Sequence, residues 1–181
     1  MNFAPRFWGL RMKLLDRDGV RADTFSRATP GDRDLHDRPI VPLESLETQL
    51  SSPEKRHVGV EVSNVASVEQ LAPHFDDLAL IAIVFPAYSD GRGFTLARRL
   101  RNAGFRGVLR AVGPLIADQF AHALACGFDE IEAPDAIAER QPYEQWRRAG
   151  ASISLPYQQG YSRANSIFEQ RMLARRGECN A

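Results

Sequence analysis

A short polar turn carries the side chains best suited to bind an anion. The turn reads Tyr88-Ser-Asp-Gly-Arg-Gly93 and follows an apolar run of strand length. Its glycines let the backbone approach a ligand, and the free amides of the following helix favour negative charge. Arg92 offers a two-pronged contact to a carboxylate or another oxyanion. The candidate ligand-binding residues are therefore Tyr88, Asp90, Gly91, Arg92 and Gly93. In the alternative interpretation, Asp90 caps the helix and Arg92 is solvated.

A second turn, Gly113-Pro-Leu-Ile-Ala-Asp-Gln119, carries further polar candidates. Asp118 and His122 stand four residues apart, so on a helix the carboxylate can position the imidazole as an acid-base catalyst. Gln119 is a further ligand-binding candidate. The alternative is that Asp118 interacts with the helix dipole and that His122 lies on the surface, since no third group in the sequence completes a catalytic set.

Arg110 interrupts an otherwise apolar strand, Val108-Leu-Arg-Ala-Val112. A charge in such a strand is expected to be paired or functional. Asp90 and Asp118 are its expected partners. A ligand-binding role and a purely architectural role both remain open.

The elements that hold these residues alternate between strand and helix. Strands are predicted at Leu78–Phe85, Val108–Val112 and Phe128–Glu132, and helices at Phe94–Ala103 and Leu115–Cys126. The second helix has Pro114 at its first position and Gly127 after its last, which is the usual asymmetry of helix ends. Both turns then follow the carboxyl ends of parallel strands, where open α/β sheets bind ligands.

The flanking segments give weaker patterns. Leu10–Leu15 followed by Asp18-Gly19-Val20 predicts a hairpin, and Ser67-Val-Glu-Gln70 predicts a capping box. The remaining predictions are a solvated loop at Asp23–Arg38, a short helix within Ile40–Leu50 that begins near Pro42, a strand at Val58–Val62, a helix at Asp135–Ala149 with Pro142 as an obstacle, a strand at Ser152–Leu155 and a helix at Ser162–Arg176.

Together these elements predict an α/β fold with a mainly parallel sheet, right-handed βαβ crossovers and a small N-terminal hairpin. A three-layer flavodoxin-like or Rossmann-like arrangement is expected, with a partial α/β barrel as the alternative. The chain divides into an N-terminal hairpin and charged loop at 1–55, an α/β core at 56–158 and a helical tail at 159–181.

The composition excludes several classes of function. The 23 basic and 23 acidic residues give a formal net charge of zero, so nucleic acid and anionic membranes are not expected partners. The run of about 18 apolar residues needed to span a bilayer is missing, and a cytoplasmic location is expected. The two cysteines, Cys126 and Cys179, form no C-x-x-C pair. The sequence contains no cofactor or metal motif, so neither is predicted.

Several of these motifs resemble a bacterial family known as domain of unknown function 934. The resemblance covers roughly residues 56 to 158 and rests on Phe85-Pro-x-Tyr-x-Asp-Gly-Arg-Gly93, Ala97-Arg-x-Leu-Arg101, Leu109-Arg-Ala-Val-Gly113, Asp118-Gln119, Cys126-Gly-Phe-Asp129 and Tyr157-Gln158. Members are described as oxidoreductases or accessory proteins associated with sulfite reduction. The resemblance therefore implies a part in sulfur assimilation, with sulfite reductase or its electron donor as partner.

The segment Cys126–Pro134 is also similar to the last helix and strand of receiver domains. Phe85-Pro86 stands where their phosphoacceptor carboxylate would be, and Ala133 where a lysine precedes their proline. The similarity therefore implies a related fold but not a phosphorelay switch. Three functions stay open: an accessory protein of sulfite reduction, a small oxyanion-binding enzyme or sensor that uses Arg92, Arg110 and Asp118, and a non-catalytic receiver-like interaction domain.

Overall fold

A curled sheet of eight strands forms the centre of the molecule. The computed structural model describes residues 11–27, 38–51 and 57–152. The strands are β1 (Met12–Leu15), β2 (Val20–Arg21), β3 (Ser26–Arg27), β4 (Pro39–Pro42), β5 (Val58–Ser63), β6 (Leu78–Val84), β7 (Val108–Val112) and β8 (Glu130–Pro134). Their order across the sheet is β2-β1-β8-β7-β6-β5-β4-β3. Strands before and after residue 56, where the α/β core was predicted to begin, therefore join one sheet.

The direction of the strands confirms the α/β prediction. From β3 to β8 every pair of neighbours is parallel, whereas β1 runs antiparallel to β2 and to β8. Strands β4 to β8 stand in chain order, so each crossover moves one place in the same direction. The sheet is a half-barrel, and it corresponds to the partial-barrel form of the predicted fold.

In the described part of the chain, six helices connect or follow these strands: α1 (Leu46–Leu50), α2 (Val68–Leu71), α3 (Arg92–Asn102), α4 (Phe120–Cys126), α5 (Asp135–Arg140) and α6 (Tyr143–Ser152). Short 3-10 helical turns precede α1 and α4 and follow α2. Among the described residues, no helix has the length and apolar character to span a bilayer.

The two faces of the sheet have separate apolar clusters. In β6, Ile81 and Ile83 pack into the larger cluster, which also contains the buried residues of the helices. Leu80, Ala82 and Val84 of the same strand pack into the smaller cluster, to which Phe25 and Ile40 also belong. We call the face of the sheet that carries the larger cluster the helix face, and the face that carries the smaller cluster the opposite face. Since β6 is covered on both faces, its continuous apolar sequence is explained.

Several local predictions are confirmed. β1 and β2 form the N-terminal hairpin, in which the Asp16 carboxylate accepts hydrogen bonds from the amides of Asp18 and Gly19 at 2.8 and 3.0 Å. The Ser67 capping box is present, with the Gln70 amide donating to Ser67 Oγ at 3.3 Å and the Ser67 amide to Gln70 Oε1 at 3.1 Å. The helix expected beyond Asp135 is divided into α5 and α6 at Pro142.

Other predictions are corrected. The helix predicted to begin near Pro42 does begin at Leu43, in a 3-10 turn, but the Pro39–Pro42 segment before it is a strand that was not predicted. Ile116 is extended, which delays the helix expected from Leu115 until the 3-10 turn at Ala117–Gln119 and then α4. Ser152 ends α6, so the strand predicted from that residue does not begin there. Residues 28–37 of the expected loop and the Ser162–Arg176 helix lie outside the described residues.

The segment predicted to be a solvated loop from Asp23 contributes instead to the core. Ser26–Arg27 pairs with β4 as strand β3, and Phe25 is only 8% exposed. Phe25 is one of the few apolar residues in this stretch, and it fills the space above the opposite face of the sheet. Burial of the Phe25 ring and the pairing of β3 with β4 together hold the polar residues beside them against the sheet.

Candidate functional site

The loops that follow β5, β6 and β7 lie side by side at one edge of the sheet. Ser63, Val84 and Val112 occupy the same register at the ends of these strands, so the loops begin next to one another. Both turns singled out in the sequence belong to this edge. We call it the carboxyl edge, because it is formed by the carboxyl ends of the parallel strands.

At the carboxyl edge, Asp90 and Arg92 bind each other. Arg92 donates from Nε and Nη2 to the two carboxylate oxygens at 2.9 and 2.6 Å, and its backbone amide donates to Asp90 Oδ1 at 3.3 Å. The Arg92 guanidinium, followed by the neighbouring Asn64 amide, holds the pKa of the Asp90 carboxyl well below its usual range. Both of the predicted ligand-binding charges are thus satisfied locally, and the Arg92 side chain remains 63% exposed.

The glycines of the two turns have an architectural role. A Cβ on Gly93 would lie 2.4 Å from Cζ of Phe85, and one on Gly113 would lie 2.4 Å from the Phe85 carbonyl oxygen. Gly113 also has a φ of 137°, which side-chain-bearing residues rarely adopt. By contrast, a Cβ on Gly91 would meet only Phe94, at 3.9 Å. Close packing against Phe85, against its ring at Gly93 and against its backbone at Gly113, therefore explains two of the three glycines.

Gln119 fixes the loop that presents Tyr88. Its Nε2 donates to the Tyr88 carbonyl at 2.7 Å, while its Oε1 accepts from the Ile116 amide at 3.2 Å. The Tyr88 side chain itself points outward and is 59% exposed. Val65, in the neighbouring loop after β5, is 60% exposed. The carboxyl edge therefore presents an aromatic and an aliphatic side chain from loops held in place by hydrogen bonds.

Asn64 was not singled out in the sequence, yet it is buried at this edge with 6% exposure. Its Nδ2 makes no hydrogen bond of ordinary geometry in the described part of the protein. Buried side-chain amides are usually satisfied. No feature of Ser63-Asn64-Val65 in the sequence would have indicated this.

The predicted pair of Asp118 and His122 is not brought together. Asp118 is exposed in the 3-10 turn before α4, so the spacing of a continuous α-helix does not apply between the two residues. His122 instead stacks edge-on against Phe94, with ring centroids 4.7 Å apart, and its Nε2 lies 3.6 Å from Cys126 Sγ. This arrangement holds the imidazole against apolar and sulfur atoms.

Arg110 is almost completely buried, at 1% exposure, on the opposite face of the sheet. Its guanidinium donates to both oxygens of Asp23 at 2.6 and 2.8 Å, to Glu130 at 2.7 Å and to Glu132 at 3.1 Å. The partners expected from the sequence, Asp90 and Asp118, are therefore not the partners found. The expectation that the charge is paired is correct.

A second arginine extends this arrangement. Arg27 donates to both oxygens of Glu132 at 2.6 and 2.9 Å and to Glu61 at 2.8 Å. The six residues are Asp23, Arg27, Glu61, Arg110, Glu130 and Glu132, which we call the ion cluster. It joins β3, β5, β7 and β8 through two guanidinium groups and four carboxylates.

Burial and the opposite charges nearby shift the pKa values of Asp23, Glu130 and Arg110 in the ion cluster. Burial works to raise the pKa of Asp23, but the hydrogen bonds and charge of Arg110 lower it below its ordinary value. For Glu130, burial prevails over the nearby Arg110, and the pKa is raised. Burial works against the Arg110 charge, yet the three carboxylates raise its pKa above the ordinary value. Glu130 thus takes up a proton more readily than Asp23 does.

Arg110 stands out in the sequence, whereas the other five residues of the ion cluster do not. Strand register sets Glu61, Arg110 and Glu130 level with one another on β5, β7 and β8, with Ala82 of β6 between Glu61 and Arg110, and Glu132 follows Glu130 two residues later on the same face. The alternation is visible in Val60-Glu-Val62 and Glu130-Ile-Glu132 once the register is known. Residues 11–27, 38–51 and 57–152 contain no group of three or more His, Cys, Asp or Glu side chains that could hold a metal ion. The candidate residues thus fall into two separate places, the carboxyl edge and the ion cluster.

A comparison with protein families shows which family the chain belongs to. The profile of the family described as bacterial protein of unknown function (DUF934) matches residues 59–168. This is more than half of the chain, so the chain belongs to the DUF934 family, as the sequence motifs predicted. A search of curated proteins gave no match.

Proposed function

We propose that this DUF934 family member is a cytoplasmic accessory protein of assimilatory sulfite reduction, and that it docks through its carboxyl edge on sulfite reductase or on the reductase's electron donor. The pathway comes from the family resemblance of its motifs. The docking surface comes from the exposed side chains at the carboxyl edge.

The observation that carries the docking surface is the exposure of Tyr88. Three large apolar side chains are exposed among the described residues, and two of them, Tyr88 and Val65, lie at this edge. Tyrosine is enriched at protein interfaces because it buries a large area with few rotatable bonds. Gln119 already holds the Tyr88 backbone, so little ordering is needed when a partner binds.

The neighbouring ion pair gives the surface a polar rim. Asp90 and Arg92 present both signs of charge beside the apolar side chains, in loops next to one another. Rim charges of this kind influence the rate and specificity of association more than its strength.

The test uses the purified chain with the sulfite reductase of the same organism and with that reductase's electron donor. Binding is measured by biolayer interferometry, and sulfite reduction is followed with and without the chain. We expect Tyr88→Ala and Val65→Ala to weaken binding, the first at least tenfold. Val20→Ala is the matched control, since Val20 is 58% exposed but lies on the edge strand β2.

Two results would count against the proposal. If the chain neither binds these proteins nor changes the rate of sulfite reduction, the accessory function is wrong. If Val20→Ala weakens binding as much as Val65→Ala does, the assignment of the docking surface is wrong.

A further inference from the structure

A cleft lies at the amino ends of β7 and β8, away from the carboxyl edge. Its volume is about 380 Å³. Cavities of a few hundred Å³ are the size that small ligands occupy. The lining includes Arg17, Arg101, Arg106, Asp129, Phe105 and Phe128. Three guanidinium groups and one carboxylate thus surround an aromatic floor.

Arg101 builds the cleft. Its guanidinium donates to the carbonyl oxygens of Gly127, Phe105 and Gly107 at 2.9, 3.0 and 2.8 Å, and it also binds the Asp129 carboxylate. The same carboxylate accepts a hydrogen bond from the Leu109 amide at 2.8 Å. Arg101 is therefore neutralised by Asp129, and its donors fix the two loops that form the walls.

The side chains of the other two arginines, Arg17 and Arg106, make no such contacts with the described residues. Arg17 and Arg106 are exposed, and neither side chain is hydrogen-bonded or ion-paired to another described residue. Their backbones are nevertheless positioned. The Arg17 carbonyl accepts a hydrogen bond from the Tyr143 hydroxyl at 2.8 Å, and Arg106 stands between the two residues whose carbonyls Arg101 holds.

We infer that this cleft binds a small oxyanion through Arg17 and Arg106. Arginine matches the geometry of sulfate, phosphate and carboxylate groups with paired N–H donors. The floor is made of Phe105 and Phe128, which are 1% and 2% exposed, so a bound anion is shielded from water on one side. The anion can be a free inorganic ion or the sulfate or phosphate group of a small ester, since both present the same oxygens.

This site differs from the oxyanion site that the sequence suggested. The Arg92 guanidinium is already ion-paired with Asp90, and the Arg110 guanidinium with Asp23, Glu130 and Glu132. The cleft also lies at the other end of the strands from the carboxyl edge, so it does not depend on the proposed docking.

The test is isothermal titration calorimetry of the full chain with sodium sulfate, sodium phosphate and glycerol 3-phosphate, at an ionic strength held constant with sodium chloride. The double variant Arg17→Gln/Arg106→Gln is compared with Arg99→Gln/Arg147→Gln. The control removes the same net charge at two other exposed arginines, which are 56% and 60% exposed.

We expect saturable binding to at least one of the three anions, with affinity reduced at least tenfold in the first double variant and within twofold of the original in the control. Tighter binding of glycerol 3-phosphate than of both inorganic ions would identify an ester as the ligand, and the reverse would identify a free ion. The inference is refuted if none of the anions binds saturably, or if both double variants weaken binding equally. Either refutation leaves the reductase experiment unaffected.

Discussion

Replacement of Arg110 by methionine should cost much more stability than the same change at Arg92. Both arginines bind an aspartate through two nitrogens, with shortest distances of 2.6 Å, but the Arg110 side chain is 1% exposed and the Arg92 side chain 63%. Methionine keeps most of the length and volume of the arginine side chain. Each substitution therefore removes mainly the charge and the hydrogen bonds of the guanidinium group.

The expected magnitude follows from what Arg110 leaves behind. Its removal deprives Asp23 and Glu130 of their guanidinium contacts, whereas Glu132 keeps Arg27. Breaking a buried ion pair by removing one partner costs about 3–5 kcal/mol. With a urea m-value of about 2 kcal/mol per molar, this lowers the unfolding midpoint by roughly 1.5–2.5 M.

The assay is equilibrium unfolding in urea, followed by circular dichroism at pH 7 and again near pH 4. At the lower pH the carboxylates left unpaired take up protons, so the cost of Arg110→Met should shrink. Arg92→Met should leave the midpoint close to that of the original chain, since its ion pair is exposed to solvent. The reasoning fails if Arg110→Met shifts the midpoint no more than Arg92→Met, or if its cost is the same at both pH values.

Two further changes test the ion cluster and the turn glycines. Because the pKa of Glu130 is raised by burial, its carboxyl stabilises the fold fully below the ordinary carboxyl pKa, and this stabilisation is lost as the pH rises through the folded-state pKa. Glu130→Gln should therefore gain stability relative to the original chain between about pH 4 and pH 7, and a relative loss in urea unfolding over this range would contradict the assignment. Gly93→Ala should cost about 1–3 kcal/mol because its Cβ would overlap the Phe85 ring, whereas a Cβ on Gly91 would meet only Phe94, at an ordinary contact distance of 3.9 Å; equal melting temperatures for Gly93→Ala and Gly91→Ala would contradict this packing.

The local elements of the fold were predictable because their signals are local. The apolar run of β6 indicated a strand covered on both faces, and the Ser67-to-Gln70 spacing indicated a capping box. Each signal depends on residues close together in the sequence. The same holds for Gly127, whose φ of 103° ends α4 as expected.

The partners of Arg110 could not be predicted in the same way. Asp23 is 87 residues away in the sequence, and Glu130 is 20 residues away. Their meeting depends on strand register and on the burial of Phe25, which a charged sequence segment does not indicate. Register pairs Arg110 with Glu130 on the neighbouring strand. The prediction that the Arg110 charge is paired is therefore confirmed, whereas the predicted partners, Asp90 and Asp118, are wrong.

The direction of winding decides where a partner or ligand meets this sheet. In a doubly wound sheet the crevice lies where the strand order reverses, and strands β4 to β8 have no reversal. In barrel-like sheets the loops after the strands form the site instead. Those loops present Tyr88 and Arg92, whereas Arg110 lies two residues before the end of β7 and is enclosed by carboxylates. An Arg110→Met protein that remains folded should therefore bind its partner as the original chain does.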